Sequence, residues 1–247
     1  YYLMWLLNSS IGKKLIMSIS GLFLVLFLLF HLSMNVAAAF SGEAYNIICS
    51  LLGANWYAVA ATLVLAAGVV IHFVYALILT LQNRKARGND RYAINARPKG
   101  VEWASQNMLV LGIIIVLFIV LHLSQFWYKM MFAELMGNHM VTLCDGVTSV
   151  SPQNGAAFIN YYFHTSSLAA LWTVLYIVWY VALWFHLTHG FWSAIQTIGW
   201  NNTIWMNRWI CISKIVATVI CGLFAIITII FFLNGVGGDC VTACAGH

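Results

Sequence analysis

Charge is almost missing from this chain: Asp, Glu, Lys and Arg together make up 7% of its 247 residues. A soluble fold of this length needs polar surface to cover its core, and this composition does not supply it. Proline is nearly absent as well. Pro98 and Pro152 are the only two, and both fall between apolar stretches, so the broken helices of many transporters are not expected. The alternation of apolar and polar residues that marks a membrane β-barrel is also lacking. No Gly-rich phosphate loop, nucleic-acid motif or internal repeat is present, so no nucleic-acid partner is expected.

What fills the chain is apolar. Hydrophobic residues make up 63% of it and the mean hydropathy is +0.90, which makes the bilayer its natural solvent. A helix needs about 20 apolar residues to cross a hydrocarbon layer of roughly 30 Å. Charge-free stretches of that length run from Leu15 to Phe40, Trp56 to Leu81, Trp103 to Tyr128, Ser167 to Ile198 and Trp209 to Leu233. The expected fold is therefore an all-α integral membrane protein, a bundle of five transmembrane helices forming one domain. The first run is too long for the apolar region of a signal peptide and counts as a span. Trp56, Trp103, Tyr128, Trp200 and Trp209 lie near span ends, where aromatic belts or bundle packing would both use them.

Basic residues sort by side. Lys13, Lys14, Arg84, Lys85, Arg87, Arg91, Arg97, Lys99, Arg208 and Lys214 share one side and Lys129 lies on the other. The positive-inside rule then makes the N-terminus and the loops after spans two and four cytoplasmic, and an odd number of spans sends the C-terminus outside. Glu43, Glu134, Asp145 and Asp239 fall on the outer side. The basic loop at about 82–102 is either a topology signal or a docking surface for a cytoplasmic partner or for haem propionates, which Arg pairs well. An outer connection at about 129–166 is long enough to fold over the bundle, and an outer tail follows from about 234 to 247. Of six cysteines, Cys49, Cys144, Cys240 and Cys244 are expected outside, as disulfides or free thiols, and Cys211 and Cys221 inside span five. The tail CVTACAGH ends at His247 but lacks CxxCH spacing, so a c-type haem is not supported.

The ionisable groups deep in the spans are histidines, and such groups are costly in a bilayer unless they serve a purpose. His31, His72, His122 and His186 each occupy a different one of the first four spans. Taken singly, each suits an interhelical hydrogen bond as well as a ligand role. Depth separates them into two tiers. At about 1.5 Å per residue, His31 lies about 25 Å past Lys14 and His122 about 28 Å past Trp103, both in the outer half. His72 lies about 18 Å before Arg84 and His186 about 21 Å before Trp200, nearer the cytoplasm. Haem iron takes two axial ligands, and imidazoles on different helices can supply them, so two tiers point to two bis-histidine haems b. His189 faces a similar side to His186 and is either a ligand in its place or a contact to a propionate. His139, His164 and His247 suit surface or quinone-contact roles.

These residues resemble a known family, the dihaem cytochrome b membrane subunit of succinate:quinone oxidoreductases, that is, succinate dehydrogenases and quinol:fumarate reductases. The resemblance runs through all five spans. It rests on SISGLFLVLFLLFHL ending near His31, His72 followed by NRKAR, EWASQNMLVLGIIIVLFIVLHL containing His122, and FHLTHGFW with Gly199 and Trp200 after it. It implies that His31 and His122 hold a distal haem and His72 and His186 a proximal one. It favours His186 over His189, because the family's ligand stands four residues before a Gly, here Gly190, and it matches Ser18 to a residue lining the proximal propionates.

The implied partners are a cytoplasmic flavoprotein and an iron–sulphur subunit, besides membrane lipid and a quinone, by resemblance a menaquinone. Flavin and iron–sulphur ligand patterns are absent, so the chain itself is expected to pass electrons to or from quinone rather than act on dicarboxylates. The implied location is the bacterial inner membrane, and an oligomer of the whole complex is left open. Two positions depart from the family: Trp184 stands where some fumarate reductases have a proton-carrying Glu, and Gln106 where Arg is common. Reduction of quinone on the outer side needs a proton-handling group, for which Glu43 is the candidate if partly buried, with His164 as an alternative. Competing readings are the cytochrome b anchor of a hydrogenase or formate dehydrogenase, and a haem-free membrane protein.

Overall fold

The structure is a computed structural model that describes residues 9–87 and 103–236. Arg91, Arg97, Lys99, Asp239, Cys240, Cys244 and His247 lie outside the described residues, as does most of the basic loop.

Among the described residues five helices are long and apolar enough to cross a membrane. They are α1 (Ser10–Phe40), α3 (Trp56–Arg87), the span Met108–Leu135, α6 (Ala169–Thr197) and α7 (Met206–Asn234). The third begins as α4 (Met108–His122) and passes into a π-helical stretch, Leu123–Phe132. Two shorter helices are α2 (Gly42–Leu51) and α5 (Gly155–Asn160). The spans are apolar on nearly every face, as expected where lipid replaces water. Leu26, Leu63 and Leu117 are 66%, 67% and 64% exposed. Holding one such side chain in water rather than an apolar medium costs about 1.5–3 kcal/mol, so these surfaces suit a membrane.

Helix ends differ from the charge-based boundaries for local reasons. α1 starts at Ser10, before Lys13 and Lys14, because flexible lysines extend from a helix end without breaking it. α3 runs on to Arg87 through residues that favour helix. Asn107 interrupts the third segment, its side-chain amide donating to the Trp103 carbonyl at 2.8 Å. α6 ends at Thr197, and the φ of +88° at Gly199 lets Trp200 N–H bond back to Ile195 O at 3.2 Å.

The described residues divide into two compact units, one drawn from Tyr1–Phe27, Val64–Ile115 and Ala182–Val219 and the other from Leu28–Leu63, Val116–Val181 and Ile220–His247. In the first, Ala104, Leu111 and Ala182 are buried with Ile114 and Phe185 packed on them. Gly68 admits the Phe23 ring, whose Cε1 would lie 2.7 Å from a Cβ there. Buried Ser213 donates to Thr188 O at 2.6 Å, tying α7 to α6.

The second unit holds the connection between the third span and α6. A two-residue hairpin pairs Val141 with Val150 and Thr142 with Ser149, and Lys129 Nζ donates to Thr142 O at 3.0 Å. Helix α5 is clamped onto α2: Asn46 Nδ2 donates to Asn154 Oδ1 at 3.0 Å, and Asn46 Oδ1 accepts from Ala156 N at 2.9 Å. Glu134 accepts from Ala54 N at 3.0 Å and from Gln153 Nε2 at 2.7 Å. Val236 N–H donates to Asn160 Oδ1 at 2.6 Å, which brings the end of α7 onto the same connection.

Candidate functional site

Each unit contains one pair of intramembrane histidines. In the first, His72 on α3 faces His186 on α6, with ring centroids 6.3 Å apart and planes at 71°. The Nδ1 of His72 lies 3.2 Å from Met17 O and 3.2 Å from Ser20 Oγ. A carbonyl only accepts, so Nδ1 carries the proton and Nε2 keeps its lone pair. Ser20 in turn donates to the same Met17 carbonyl at 3.0 Å. Met17, Ser20 and Gly21 fall on one face of α1 by their spacing. Gly21 matters because a Cβ at that position would lie 3.1 Å from His72 Cε1. Across the pair, His186 Nδ1 is buried without a hydrogen-bond partner. Such an atom carries a desolvation cost.

In the second unit His31 on α1 faces His122 at the end of α4, with centroids 5.8 Å apart and planes at 86°. The Nδ1 of His122 is 3.1 Å from the Tyr176 hydroxyl, which donates to Gln125 Oε1 at 2.8 Å. Asn35 Nδ2 donates to the His31 carbonyl at 2.8 Å and lies 3.5 Å from His31 Nε2, at the outer limit of a hydrogen bond. Aromatic rings frame the pair: Phe224 stands 5.8 Å from His31, and Phe126 and Trp179 stand 5.1 and 6.2 Å from His122.

The separation within each pair bears on what it can hold. A metal–imidazole bond is about 2 Å, so two imidazoles facing one another across a single metal have centroids about 6 Å apart. Both pairs have that separation. Among the described residues no three His, Cys, Asp or Glu side chains gather where they could hold a metal ion. Two nitrogens are too few for a zinc site made by protein alone, but they match the two axial positions of an iron whose other four bonds come from a porphyrin. The Nε2 lone pair that His72 keeps fits that group.

Ser18 is buried on α1, but the hydroxyl that reaches His72 belongs to Ser20. His189 packs edge-on against Trp192 at 5.0 Å, and the ring facing His72 is His186. Glu43 is exposed in the first turn of α2, so the partial burial on which its proton-handling role depends is not found. His139 and His164 are exposed, and His164 Nδ1 donates to Phe232 O at 3.0 Å. Gln106 is exposed, and Trp184 Nε1 donates to Thr218 Oγ1 at 2.9 Å. Cys49 and Cys144 are free thiols. Burial pushes the Cys49 thiol up to about 11, against smaller opposing hydrogen bonds from Tyr45 and Gly155. Hydrogen bonds from Thr148 and Val147 hold the Asp145 carboxyl below its usual range.

Sequence reasoning missed Ser20, Gly21, Tyr176 and Gln125. The first two share a face of α1 with Met17, whose carbonyl is marked out by its hydrogen bond with His72 and by nothing in the sequence. No protein-family model, curated protein or solved structure matches the chain.

Proposed function

We propose that this chain is a dihaem cytochrome b, the membrane anchor of a succinate:quinone oxidoreductase, passing electrons between an iron–sulphur subunit and a quinone, by resemblance a menaquinone. The observation that carries the proposal is the presence of two separate histidine pairs, His72 with His186 and His31 with His122, each at the spacing of two axial ligands. Each pair also joins imidazoles from two different spans, as a haem held by two histidines would need.

Haem supplies reversible one-electron transfer at its iron. The chain's own residues hold and orient it. Met17 O and Ser20 Oγ fix the His72 ring so that Nε2 is the available ligand atom, and Gly21 keeps the side of that ring clear. Tyr176 contacts His122 at the corresponding nitrogen. The apolar faces of the helices exclude water from both pairs.

The basic end of α3, with Arg84 and Lys85, is the surface on which the iron–sulphur subunit docks, carrying with it the flavoprotein that interconverts succinate and fumarate. This end is cytoplasmic by the distribution of Lys and Arg, which places the His72–His186 haem proximal and the His31–His122 haem distal.

Five single alanine variants test the proposal. His72→Ala and His186→Ala remove the same haem and leave the other, and His31→Ala and His122→Ala do the converse. His189→Ala retains both. Two haems surviving in His186→Ala membranes would overturn the assignment.

A further inference from the structure

We infer that Tyr176 and Gln125 form a one-directional hydrogen-bond relay that locks the tautomer of His122 and sets how strongly that imidazole donates to iron. The inference rests on the dihaem reading and adds to it a positioning pair outside the ligand set.

The direction follows from proton counting. If Nε2 of His122 is to bind iron, Nδ1 must carry the proton. The group facing Nδ1 is the Tyr176 hydroxyl at 3.1 Å, which must then accept. Its own proton therefore has to go elsewhere, and the group in line for it is Gln125 Oε1 at 2.8 Å. With the chain reversed, Gln125 would donate to Tyr176, Tyr176 to Nδ1, and the proton would sit on Nε2, where it blocks ligation. Only one direction is compatible with a bound metal.

Both relay residues are held firmly. Tyr176 is 3% exposed and Gln125 4%. The Tyr176 ring meets Phe163 edge-on at 5.0 Å and Trp179 at 5.8 Å, leaving its hydroxyl little freedom. Gln125 lies in the π-helical stretch that begins at Leu123, immediately after His122. A π turn is an uncommon and less stable form of helix, often found at functional sites. Here it carries Gln125, whose amide oxygen accepts from the tyrosine on α6.

The relay also has an electronic effect. A hydroxyl that donates its own hydrogen bond to an amide oxygen is a better acceptor for the next hydrogen bond. Nδ1–H donation raises the basicity of Nε2, which favours the ferric over the ferrous state and lowers the reduction potential.

The test compares Tyr176→Phe, Gln125→Leu and the double variant with the parent chain in membranes, by optical redox titration of each haem and by haem content. The haem held by His122 is identified as the one lost in His122→Ala. Tyr176→Phe keeps two haems and shifts only that haem's midpoint potential upward. Gln125→Leu strands the tyrosine proton, which turns toward Nδ1, so occupancy of that haem falls several-fold. Adding Tyr176→Phe to Gln125→Leu restores occupancy, because the competing proton is gone. An unmoved potential in Tyr176→Phe, or a double variant no better than Gln125→Leu, would overturn the relay while the dihaem reading stands. A parent chain with no haem at His122 would overturn both.

Discussion

Replacing Gly21 by Ala probes the proximal site through a single added methyl group. That Cβ would lie 3.1 Å from His72 Cε1 and 3.5 Å from Nδ1, whereas carbon atoms rest at about 3.5–4.0 Å. The ring must therefore retreat by a few tenths of an ångström. It is not free to do so, because Met17 O and Ser20 Oγ hold Nδ1 from the same helix, each at 3.2 Å, and retreat stretches both bonds. Overpacking of this kind costs about 1–3 kcal/mol, and at about 1.4 kcal/mol per tenfold it weakens haem affinity by about 5- to 150-fold. Gly112 provides the control within the same unit, since its Cβ would meet His186 Cε1 at 4.0 Å, an ordinary contact. The assay is haem titration into membranes from haem-limited cells, with the two haems separated by their reduced spectra. Gly21→Ala loses the proximal haem at limiting supply and keeps the distal one, while Gly112→Ala keeps both. Equal retention in the two variants, or loss of the distal haem from Gly21→Ala, would refute the reasoning.

Other outcomes follow from the same structure. Glu43→Gln leaves quinone turnover within about twofold, because an exposed carboxylate is not enclosed with a substrate; a tenfold loss with both haems intact would return Glu43 to the mechanism. Cys49, with its thiol raised to about 11, is on the order of a hundredfold less thiolate at pH 8 than an ordinary cysteine, so it alkylates slowly until the pH approaches 11; rapid labelling at pH 8 would contradict its burial. Reversing the charges of Arg84 and Lys85 lowers recovery of the iron–sulphur subunit with the membrane fraction, and unchanged recovery would reduce these residues to a topology signal. Haem limitation during growth lowers the melting temperature of the chain, because a ligand bound only by the folded state stabilises it by mass action.

The spans were legible because absence of charge is a long-range signal, whereas their ends depend on local chemistry that hydropathy ignores. Lys13 and Lys14 mark a boundary by charge, yet α1 starts before them. Helix α2 was missed even though Ser41 and Glu43 mark a helix start: Ser41 Oγ accepts from Ala44 N at 3.2 Å. The histidines grouped by depth are the ones whose rings face each other, because rise per residue is nearly constant along straight helices. Polar neighbours were harder to see. Ser20 was passed over for Ser18, two residues away, because family likeness rather than helical spacing chose the serine. Tyr176 looked like one more aromatic in a span rich in them. Gln125 depends on a π turn that replaces α geometry after His122, and a change of that kind leaves no periodic trace in an apolar run.

The central claim is tested most directly by counting haem. Purify the chain from membranes of cells with ample haem, measure protohaem by its pyridine haemochrome, and divide by protein from amino-acid analysis. The account predicts two haems b per chain, falling to one in either His31→Ala or His186→Ala. A parent chain with no haem would contradict it, as would a single haem whose content is unchanged in both variants.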